Sequence, residues 1–327
     1  MVNPFDVDAL AAALHTALTM PEDERRARMS ALRDRVRGNN VHAWVRGFVQ
    51  QLDVAAQRAR QATASPAQEV QRALSSWLAE RPTTALFFDY DGTLTPLAPH
   101  PRDAVLPDAA REALRQAART PQIDLVIVSG RALADVQAMV GVPGLTYVGN
   151  HGFQIEGPGI SFRHAGADEH EESITRAADD LAQLEVPGAW VERKGTTLTF
   201  HVRQVPEAGK ADVQKRARAV LRRHGLRVVS GHEAVEGRPR LDWDKGRAVL
   251  HVLKQRHGAD WPSRVRAVYL GDDATDEDAF RSLKGIGRSV CVTKHWRESA
   301  AEYRLPDPAA VLQLLRWLAS GAFVSTT

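Results

Sequence analysis

The chain has 327 residues, of which 43% are hydrophobic, so it is long enough for two domains with sizeable buried cores. Its formal net charge is +3 without a dense block of lysine and arginine, which argues against a nucleic-acid-binding protein. One cysteine, Cys291, excludes an internal disulfide and a cysteine-based zinc cluster. The N-terminus lacks a signal-peptide pattern, and no apolar run approaches the roughly 20 residues that span a bilayer, so we expect a cytoplasmic protein without membrane association.

The first part of the chain, residues 1–64, is predicted to be a helical extension. Apolar side chains at helical spacing occupy residues 8–18, and a proline followed by acidic residues begins a second helix at Pro21. A third helix is predicted for residues 41–62, and no catalytic constellation is present in the three. Residues 65–82 are predicted to form a linker and one helix that lead into the next domain.

A predicted buried strand at residues 85–88 is an uninterrupted apolar run, as is typical of parallel sheets. Asp89 and Asp91 follow at its carboxyl end, where open α/β sheets bind ligands. The Asp89 carboxylate and the Asp91 carbonyl can hold a cation, which leaves the Asp91 carboxylate free for proton transfer. The backbone N–H groups of Gly92 and Thr93 can hold an anion. A polar strand exit without catalytic function is the alternative for this motif alone.

Apolar strands alternate with helices after this segment, and the pattern resumes near residue 240. Such alternation indicates βαβ units and a parallel sheet. We therefore predict the α/β class, with a doubly wound, Rossmann-like parallel-sheet core formed by residues 83–156 and 240–327.

Residues 157–239 interrupt that pattern with the order helix, two strands, helix, two strands. We predict that they form an inserted α+β (αββαββ) domain, called the cap here, that closes over the site. Within it, residues 196–203 alternate as a half-exposed antiparallel strand does. The predicted apolar face carries Leu198, Phe200 and Val202, and the predicted polar face carries Thr197, Thr199, His201 and Arg203.

Polar residues also follow two other predicted strands, and a lysine begins a predicted helix. These residues are Ser129, Gly130, Lys245, Asp272, Asp273 and Asp276. Because oxygen ligands without histidine or cysteine favour Mg²⁺, the aspartates predict a magnesium site. Lys245 offsets negative charge that would otherwise repel a phosphoryl dianion, and Ser129 can hold its equatorial oxygens. The sequence thus predicts a site for a divalent cation and a phosphoryl group.

This ordered set resembles the motifs of the haloacid-dehalogenase-type (HAD) phosphatases over about residues 83–320. In chain order, the four matching motifs are Asp89-Tyr-Asp-Gly-Thr, Ser129, Lys245 and Gly271-Asp-Asp-Ala-Thr-Asp. The resemblance implies that Asp89 attacks phosphorus and forms an aspartyl-phosphate. It implies that Asp91 protonates the leaving alkoxide and then activates water. It also implies Asp272 as a direct metal ligand beside Asp89 and Asp91, with Asp273 and Asp276 ordering metal-bound waters or the lysine.

Finer motifs resemble those of the trehalose-6-phosphate phosphatases. They are Val128-Ser-Gly-Arg131, Gly149-Asn-His-Gly152, Val191-Glu-Arg-Lys194 with His201-Val-Arg203, and Glu236-Gly-Arg-Pro239. In that family, glutamate and lysine side chains of the cap bind sugar hydroxyls, which implies Glu192, Lys194 and Glu236 here. The resemblance also implies substrate contacts from Arg131, His151, Gly152 and Arg203. A structural hydrogen bond is the alternative for His151, and an exposed strand position is the alternative for Lys194.

The N-terminal extension resembles a different family. Residues 2–15 and 18–26 are similar to the C-terminal tail of retaining glycosyltransferases of the trehalose-6-phosphate synthase type. Only the tail is matched, so residues 1–64 are not expected to transfer a sugar alone. The resemblance implies either a remnant of a synthase–phosphatase fusion or a surface that docks to a synthase.

The sequence therefore predicts a Mg²⁺-dependent phosphatase of trehalose biosynthesis, which hydrolyses trehalose 6-phosphate to trehalose and phosphate. A phosphatase of another sugar phosphate, such as sucrose 6-phosphate or glucosylglycerol phosphate, is the nearest alternative. A non-catalytic regulatory partner of a synthase is an alternative of a different class. The presence of Asp89, Asp91, Lys245 and Asp272 argues against it, because such a partner has no need of them.

Overall fold

The structure of the chain, a computed structural model, describes residues 6–38, 45, 49, 67–98, 100–231, 233–321 and 323. The chain divides into two compact units, Met1–Gln61 and Ala62–Thr327. The predicted helix of residues 41–62 lies outside the described residues except at Val45 and Val49, which are helical. The predicted linker at residues 65 and 66 lies outside them as well.

Two helices are described in the first unit, α1 (Val7–Thr19) and α2 (Glu22–Gly38), close to their predicted positions. Asp6 caps α1, because its carboxylate accepts a hydrogen bond of 2.9 Å from the backbone N–H of Ala9. No residue of α1 is buried, and the apolar side chains exposed along it are Val7, Leu10, Leu14 and Leu18. Across the described ranges, no helix combines the length and the apolar character that crossing a membrane requires. The cytoplasmic location stays a prediction.

Strands and helices alternate in the second unit. Its described strands are β1 (Thr83–Asp89), β2 (Ile123–Val128), β3 (Thr146–Gly149), β4 (Gln154–Gly157), β5 (Ile160–Arg163), β6 (Trp190–Arg193), β7 (Leu198–His201), β8 (Arg227–Gly231), β9 (Ala234–Arg238), β10 (Val265–Gly271), β11 (Arg288–Val292) and β12 (Tyr303–Leu305). Its described helices are α3 (Ala67–Ala79), α4 (Asp108–Arg119), α5 (Leu133–Val140), α6 (Ala165–Asp168), α7 (Glu171–Ala182), α8 (Glu207–Arg223), α9 (Lys245–His257), α10 (Asp276–Leu283) and α11 (Pro308–Ala319).

One large sheet has the strand order β12-β11-β10-β1-β2-β3-β4-β5. The strands from β12 to β3 are parallel, and β4 and β5 add an antiparallel edge. Strand β1 lies between β10 and β2, with Phe88 opposite Leu270 and Asp89 opposite Val128. The carboxyl ends that carry the predicted motifs are therefore adjacent, because parallel neighbours end at the same edge of a sheet.

The side chains of β1 alternate between two hydrophobic cores on opposite faces of this sheet. Leu86 and Phe88 pack with α3, α4, α5 and α11, whereas Ala85 and Phe87 pack with α9 and α10. All four side chains are fully buried. Burial on both faces explains the uninterrupted apolar run and confirms the predicted doubly wound α/β class.

Three short strands, β4, β5 and β12, were not predicted from the sequence. Each has three or four residues and lies at or next to an edge of the large sheet. Segments of this length carry too few residues for an alternation to be recognised, and pairing with a neighbour stabilises them. The chain leaves the large sheet only after Arg163, whereas the predicted cap begins at residue 157.

The cap contains a four-stranded antiparallel sheet in the order β6-β7-β9-β8. Helices α7 and α8 pack on one face of this sheet and form a third hydrophobic core. Leu198, Phe200 and Val202 point into that core, as the alternation in the sequence predicted. The opposite face carries Thr199, His201 and Glu236, and it faces the carboxyl ends of the large sheet across a cavity.

Candidate active site

The cavity has a volume of about 250 Å³ and lies between the cap sheet and the carboxyl ends of β1, β2 and β10. The predicted site residues that line it are Asp89, Asp91, Gly130, Arg131, His151, Glu192, Lys194, Arg203, Glu236, Lys245, Asp272 and Asp273. The predicted site residues that do not line it are Gly92, Thr93, Ser129, Gly152 and Asp276. Residues more than 180 positions apart in the sequence thus meet in one polar space between two domains.

A buried lysine joins two aspartates at the floor of this cavity. Lys245 Nζ donates hydrogen bonds of 2.7 Å to Oδ1 of Asp89 and 2.7 Å to Oδ1 of Asp276. Burial by itself lowers the pKa of the lysine, but the charges of Asp276 and Asp89 outweigh it and hold the pKa of Lys245 well above its usual value. Lys245 is therefore a cation at neutral pH, and loss of one partner would leave an uncompensated buried charge.

The acidic loop after β10 is held by Asp276. Its Oδ2 accepts hydrogen bonds of 3.0 Å from the backbone N–H groups of Asp272 and Asp273, and its Oδ1 accepts one of 2.7 Å from the Tyr269 hydroxyl. Asp273 Oδ1 accepts bonds of 2.7 Å from both the N–H and the hydroxyl of Thr275. Burial raises the pKa of Asp273, but Lys245 and Thr275 outweigh it and lower that pKa to about 2. These contacts orient the loop towards β1.

The carboxylates of the floor form a set of oxygen donors that suits a divalent cation. Oxygen atoms of Asp89, Asp272 and Asp276 lie within 4.8 Å of one another. Burial, reinforced by Asp276 and Asp273, raises the pKa of Asp272 well above its usual value. Burial also raises the pKa of Asp89, against the opposing charge of Lys245. Buried carboxylates of this kind are stabilised as anions by a cation, and an all-oxygen donor set fits Mg²⁺.

Gly92 allows the two acidic segments to approach each other. Its φ is +77°, in the left-handed region that favours glycine, and a Cβ atom there would lie 1.9 Å from Oδ2 of Asp272. A side chain at this position would therefore displace the Asp272 carboxylate. This explains why a residue outside the cavity belongs to the motif.

Asp91 is held by Arg131 rather than being free. The Arg131 guanidinium donates two hydrogen bonds to the Asp91 carboxylate, 2.7 Å from Nε to Oδ2 and 2.5 Å from Nη2 to Oδ1. Nη2 also donates to the carbonyl of Pro101 at 2.7 Å, and the backbone N–H of Arg131 donates to Oγ of Ser129 at 3.1 Å. Two parallel hydrogen bonds between a guanidinium and a carboxylate fix the orientation of both side chains. The predicted substrate contact of Arg131 stays a prediction.

A left-handed turn after β3 carries His151 to the cap. Asn150 and His151 have φ values of 50° and 55°, and Gly152 has a φ of 103°. His151 Nε2 lies 2.6 Å from Oε1 of Glu236 on β9. A Cβ atom on Gly130 would lie 2.2 Å from the His151 ring, so a glycine at that position leaves room for the imidazole. The turn thus connects the core to the cap sheet.

Glu236 is a buried carboxylate of the cap with several basic neighbours. Nε of Arg238 donates to its Oε2 at 2.9 Å, and Nζ of Lys194 lies 3.7 Å from its Oε1. Burial favours the neutral carboxyl, but His151 and Arg238 outweigh it and hold the pKa of Glu236 well below its usual value. Burial and the charge of Arg238 lower the pKa of His151 to about 4. At neutral pH, Glu236 is therefore an anion that accepts a hydrogen bond from a neutral imidazole.

Glu192 forms a second carboxylate site on the same face. His201 Nε2 lies 2.8 Å from its Oε2, and Lys194 Nζ lies 3.8 Å from the same oxygen. Burial raises the pKa of Glu192, but His201 and Lys194 outweigh it and lower that pKa to about 2. Arg203, also on this face, donates to the carbonyl of Ala98 in the core. The cap therefore presents two anionic carboxylates and a lysine to the cavity.

Two residues that organise the site were missed in the sequence. Tyr269 lies within the apolar run of β10, where nothing marks its hydroxyl as a partner of Asp276. Arg238 lies in the motif Glu236-Gly-Arg-Pro239, two residues after Glu236, but no role was predicted for it. Because side chains two apart share one face of a strand, that spacing was a usable signal.

An aspartate pair after the central strand, facing an acidic loop across a buried lysine, defines a HAD-type phosphatase fold with an inserted cap. The family model described as Trehalose-phosphatase matches residues 87–309, and the chain belongs to this family. A second model, Glycosyltransferase family 20, matches residues 1–54, in agreement with the predicted synthase-like tail.

Curated relatives support this assignment, and a solved structure shares the fold. Over 244 residues the chain is 38% identical to a trehalose-phosphate phosphatase of Mycobacterium tuberculosis (strain ATCC 25618 / H37Rv). The aligned region covers 72% of this chain and 61% of that protein. It is 36% identical over 266 residues to the probable trehalose-phosphate phosphatase 9 of Oryza sativa subsp. japonica, covering 72% and 70%. The C-terminal domain of the trehalose-6-phosphate phosphatase of C. albicans shares the fold, with a TM-score of 0.65, 24% identity and coverage of 79% and 98%. The chain spans 18% to 61% of the length of the mycobacterial relatives that it matches.

Replacing His151 by asparagine is expected to make the free energy of unfolding less sensitive to acid. The pKa of His151 is about 4 in the folded chain against a usual 6.5, so below pH 6.5 the unfolded chain binds more protons and stability falls. Between about pH 7.5 and pH 5 this one group should remove about 2 kcal/mol from the wild type. Urea unfolding of both proteins at the two pH values measures the difference.

His15→Asn, at an exposed position of α1, is the matched control and should retain the acid sensitivity of the wild type. An unchanged pH dependence in His151→Asn would contradict the burial of a neutral imidazole.

Proposed function

We propose that the chain is a phosphatase that hydrolyses trehalose 6-phosphate to trehalose and phosphate. The observation that carries the proposal is a single cavity in which Asp89 and Asp91 of the core face Glu192, Lys194 and Glu236 of the cap. Carboxylates and a lysine suit sugar hydroxyls, whereas the lysine-paired aspartate suits a phosphoryl group. The trehalose-phosphate phosphatases among the relatives support this substrate.

Asp89 is proposed to be the nucleophile. An Asp89 oxygen attacks phosphorus and forms a P–O bond, while the bond from phosphorus to the sugar oxygen breaks and leaves its electron pair on that oxygen. Asp91 gives its proton to this alkoxide. Water then attacks the aspartyl-phosphate, transfers a proton to Asp91 and releases phosphate, which restores both carboxyl groups.

Proton transfer by Asp91 requires a change at Arg131. Both carboxylate oxygens of Asp91 accept hydrogen bonds from the guanidinium, so neither oxygen can reach the leaving group while that contact is in place. We propose that Arg131 turns from Asp91 to the substrate as the substrate enters, which agrees with the substrate contact predicted from the sequence. The proposed phosphate contacts are the backbone N–H groups of Gly92, Thr93 and Gly130, the Ser129 hydroxyl and Lys245.

Mg²⁺ is the proposed cofactor, with Asp89, Asp272 and the Asp91 carbonyl as its protein ligands. Bound there, it neutralises charge on the phosphoryl oxygens. Both oxygens of Asp276 already accept hydrogen bonds, from Lys245 and Tyr269 and from two backbone N–H groups. We therefore propose that Asp276 positions Lys245 and the acidic loop. Asp273 is proposed to position the same loop through its hydrogen bonds with Thr275.

Asp89→Asn should lower phosphate release from trehalose 6-phosphate by at least about 1,000-fold, because the amide is a poor nucleophile. Phosphate release is measured over a panel that includes sucrose 6-phosphate and glucosylglycerol phosphate. Asp103→Asn, at an exposed position outside the cavity, is the matched control and should behave as the wild type. Greater activity on a rival sugar phosphate would refute the substrate, and inactivity of the wild type on the whole panel would favour the regulatory alternative.

Chelation should abolish phosphate release, and added Mg²⁺ should restore it. Because burial raises the pKa of both Asp89 and Asp272, protons compete with the cation, and the affinity for Mg²⁺ should fall as the pH is lowered. Calorimetric titration at about pH 7.5 and pH 6 tests this direction. Asp272→Asn should weaken Mg²⁺ binding at both values, and full activity in the presence of chelator would contradict a metal-dependent reaction.

We also propose that residues 1–64 associate with a trehalose-6-phosphate synthase. The match of residues 1–54 to glycosyltransferase family 20 and the apolar side chains exposed along α1 support this partner. An exposed apolar stripe on a helix suits burial against another protein.

The chain should therefore co-elute with a purified trehalose-6-phosphate synthase in gel filtration. Combining Leu14→Asp with Leu18→Asp should weaken the association at least about tenfold. Both leucines are exposed on α1, and the substituted carboxylates would be buried in the proposed interface. Val105→Asp, at an exposed apolar position of the second unit, is the control and should bind as the wild type. Equal binding by both variants would refute the docking role of α1.

A further inference from the structure

Two crossings of the chain connect the large sheet to the cap, and they pack against each other. The outgoing crossing passes through His164 after β5, and the returning crossing passes through Trp243 just before α9. The rings of His164 and Trp243 are 5.0 Å apart, and Phe162 of β5 lies 5.2 Å from the same indole. A Cβ atom on Gly166 would lie 3.0 Å from a methyl group of Leu241, so the two crossings also touch further along.

The indole of Trp243 also reaches the turn that carries His151. Its Nε1–H donates a hydrogen bond of 2.8 Å to the carbonyl of Gly152. A Cβ atom on Gly152 would lie 2.7 Å from Cβ of Ala248 and 3.3 Å from the indole nitrogen, so the turn is packed tightly against the first turn of α9 and against this crossing. Non-glycine residues seldom adopt positive φ, so Asn150 and His151 need such external contacts to keep their conformation.

Hydrogen bonds from the core also hold the start of the turn, and the N–H of Phe153 closes it by donating to the carbonyl of Asn150 at 3.2 Å. The N–H of Asn150 donates to the carbonyl of Arg131 at 2.7 Å, and the N–H of His151 donates to the carbonyl of Ser129 at 3.1 Å. The bond from Trp243 holds the Gly152 side. Between these supports, His151 Nε2 lies 2.6 Å from Oε1 of Glu236. Glu236 is on β9, and the chain continues from β9 into the returning crossing that contains Trp243. The turn, the cap sheet and the returning crossing are therefore connected to one another.

We propose that Trp243 is a positioning residue for the cap. Its indole N–H, acting through Gly152, fixes His151 where it meets Glu236, and so sets the place of the Glu236 carboxylate over the cavity. The proposal rests on the proposed function insofar as Glu236 contacts the sugar.

The floor of the site has separate support. Asp244 caps α9, since its Oδ1 accepts a hydrogen bond of 2.9 Å from the N–H of Arg247 and its carbonyl accepts one of 3.0 Å from that of Ala248. Lys245, the first residue of α9, is also held by two aspartates. Loss of the indole N–H should therefore disturb the contact with the cap and leave the phosphoryl chemistry intact.

Trp243→Phe, which keeps an aromatic ring but removes the donor, tests the proposal on two substrates. For trehalose 6-phosphate, KM should rise about five- to tenfold with little change in kcat, as expected for one lost hydrogen bond. For p-nitrophenyl phosphate, which carries no sugar for Glu236 to contact, kcat/KM should stay within about twofold. Trp261→Phe, the same substitution at a buried indole of the core outside the cavity, should change neither value.

A double-mutant cycle with Glu236→Gln shows whether the two residues act together. If Trp243 acts through Glu236, the double variant should have the KM of Glu236→Gln alone, not the product of the two increases. Multiplying increases, an unchanged KM in Trp243→Phe, or an equal loss on p-nitrophenyl phosphate would overturn the proposal.

The two proposals fail in different ways. A wild type that releases no phosphate from trehalose 6-phosphate refutes the proposed function. In that case, a cycle of Trp243→Phe with His151→Asn, measured as fold-changes in the unfolding equilibrium constant, still decides the contact. A combined change smaller than the product supports coupling between Trp243 and the turn, and a change equal to the product overturns it.

Discussion

The ammonium group of Lys245, buried between the carboxylates of Asp89 and Asp276, is the interaction on which the rest of the site depends. Removing three charges from water is costly, and mutual pairing at 2.7 Å offsets that cost only while all three side chains stay in place. The contact joins the end of β1 to the starts of α9 and α10. Tyr269 and two backbone N–H groups hold Asp276 in turn, and through Asp276 they hold the acidic loop beside β1. The proposed nucleophile and metal ligands thus owe their geometry to a charge network buried in the doubly wound core.

The cap also contains buried charged groups that hold one another, but there the central groups are carboxylates and their neighbours are basic. Glu236 and Glu192 are anions because basic and imidazole groups surround them, and both point from the apolar-backed sheet towards the core. Their placement depends on contacts that cross between the domains, above all the pair of His151 and Glu236. In our proposal, Trp243 holds the core side of that contact from the returning crossing. The contact between cap and core then depends on the hydrogen bond from Trp243 to Gly152, on the left-handed turn that carries His151 and on the packing of the two crossings.

The local sequence pattern was sufficient to predict a strand wherever each face of that strand has one environment along its whole length. The apolar run of β1 was recognised because both of its faces meet hydrophobic cores, and the alternation in β7 was recognised because only one of its faces does. Strands β4, β5 and β12 escaped notice because three or four residues at a sheet edge are stabilised by a neighbour more than by their own sequence. Tyr269 escaped notice for a related reason, since its role depends on a hydroxyl partner that no local pattern reveals.

The sequence by itself determined the α/β class, the order of the four motifs and the chemical types that meet at the strand ends, because parallel strands bring their carboxyl ends to one edge whatever their separation in the chain. It also carried the likeness to the trehalose-phosphatase family and, in residues 1–54, to glycosyltransferase family 20. Only the tertiary structure decided which partner each charged group takes. Arg131 donates hydrogen bonds to Asp91, and Lys245 and Tyr269 donate to Asp276. Trp243 donates to the carbonyl of Gly152, beside His151. These pairings follow from the distances between folded elements, which no spacing along the chain specifies.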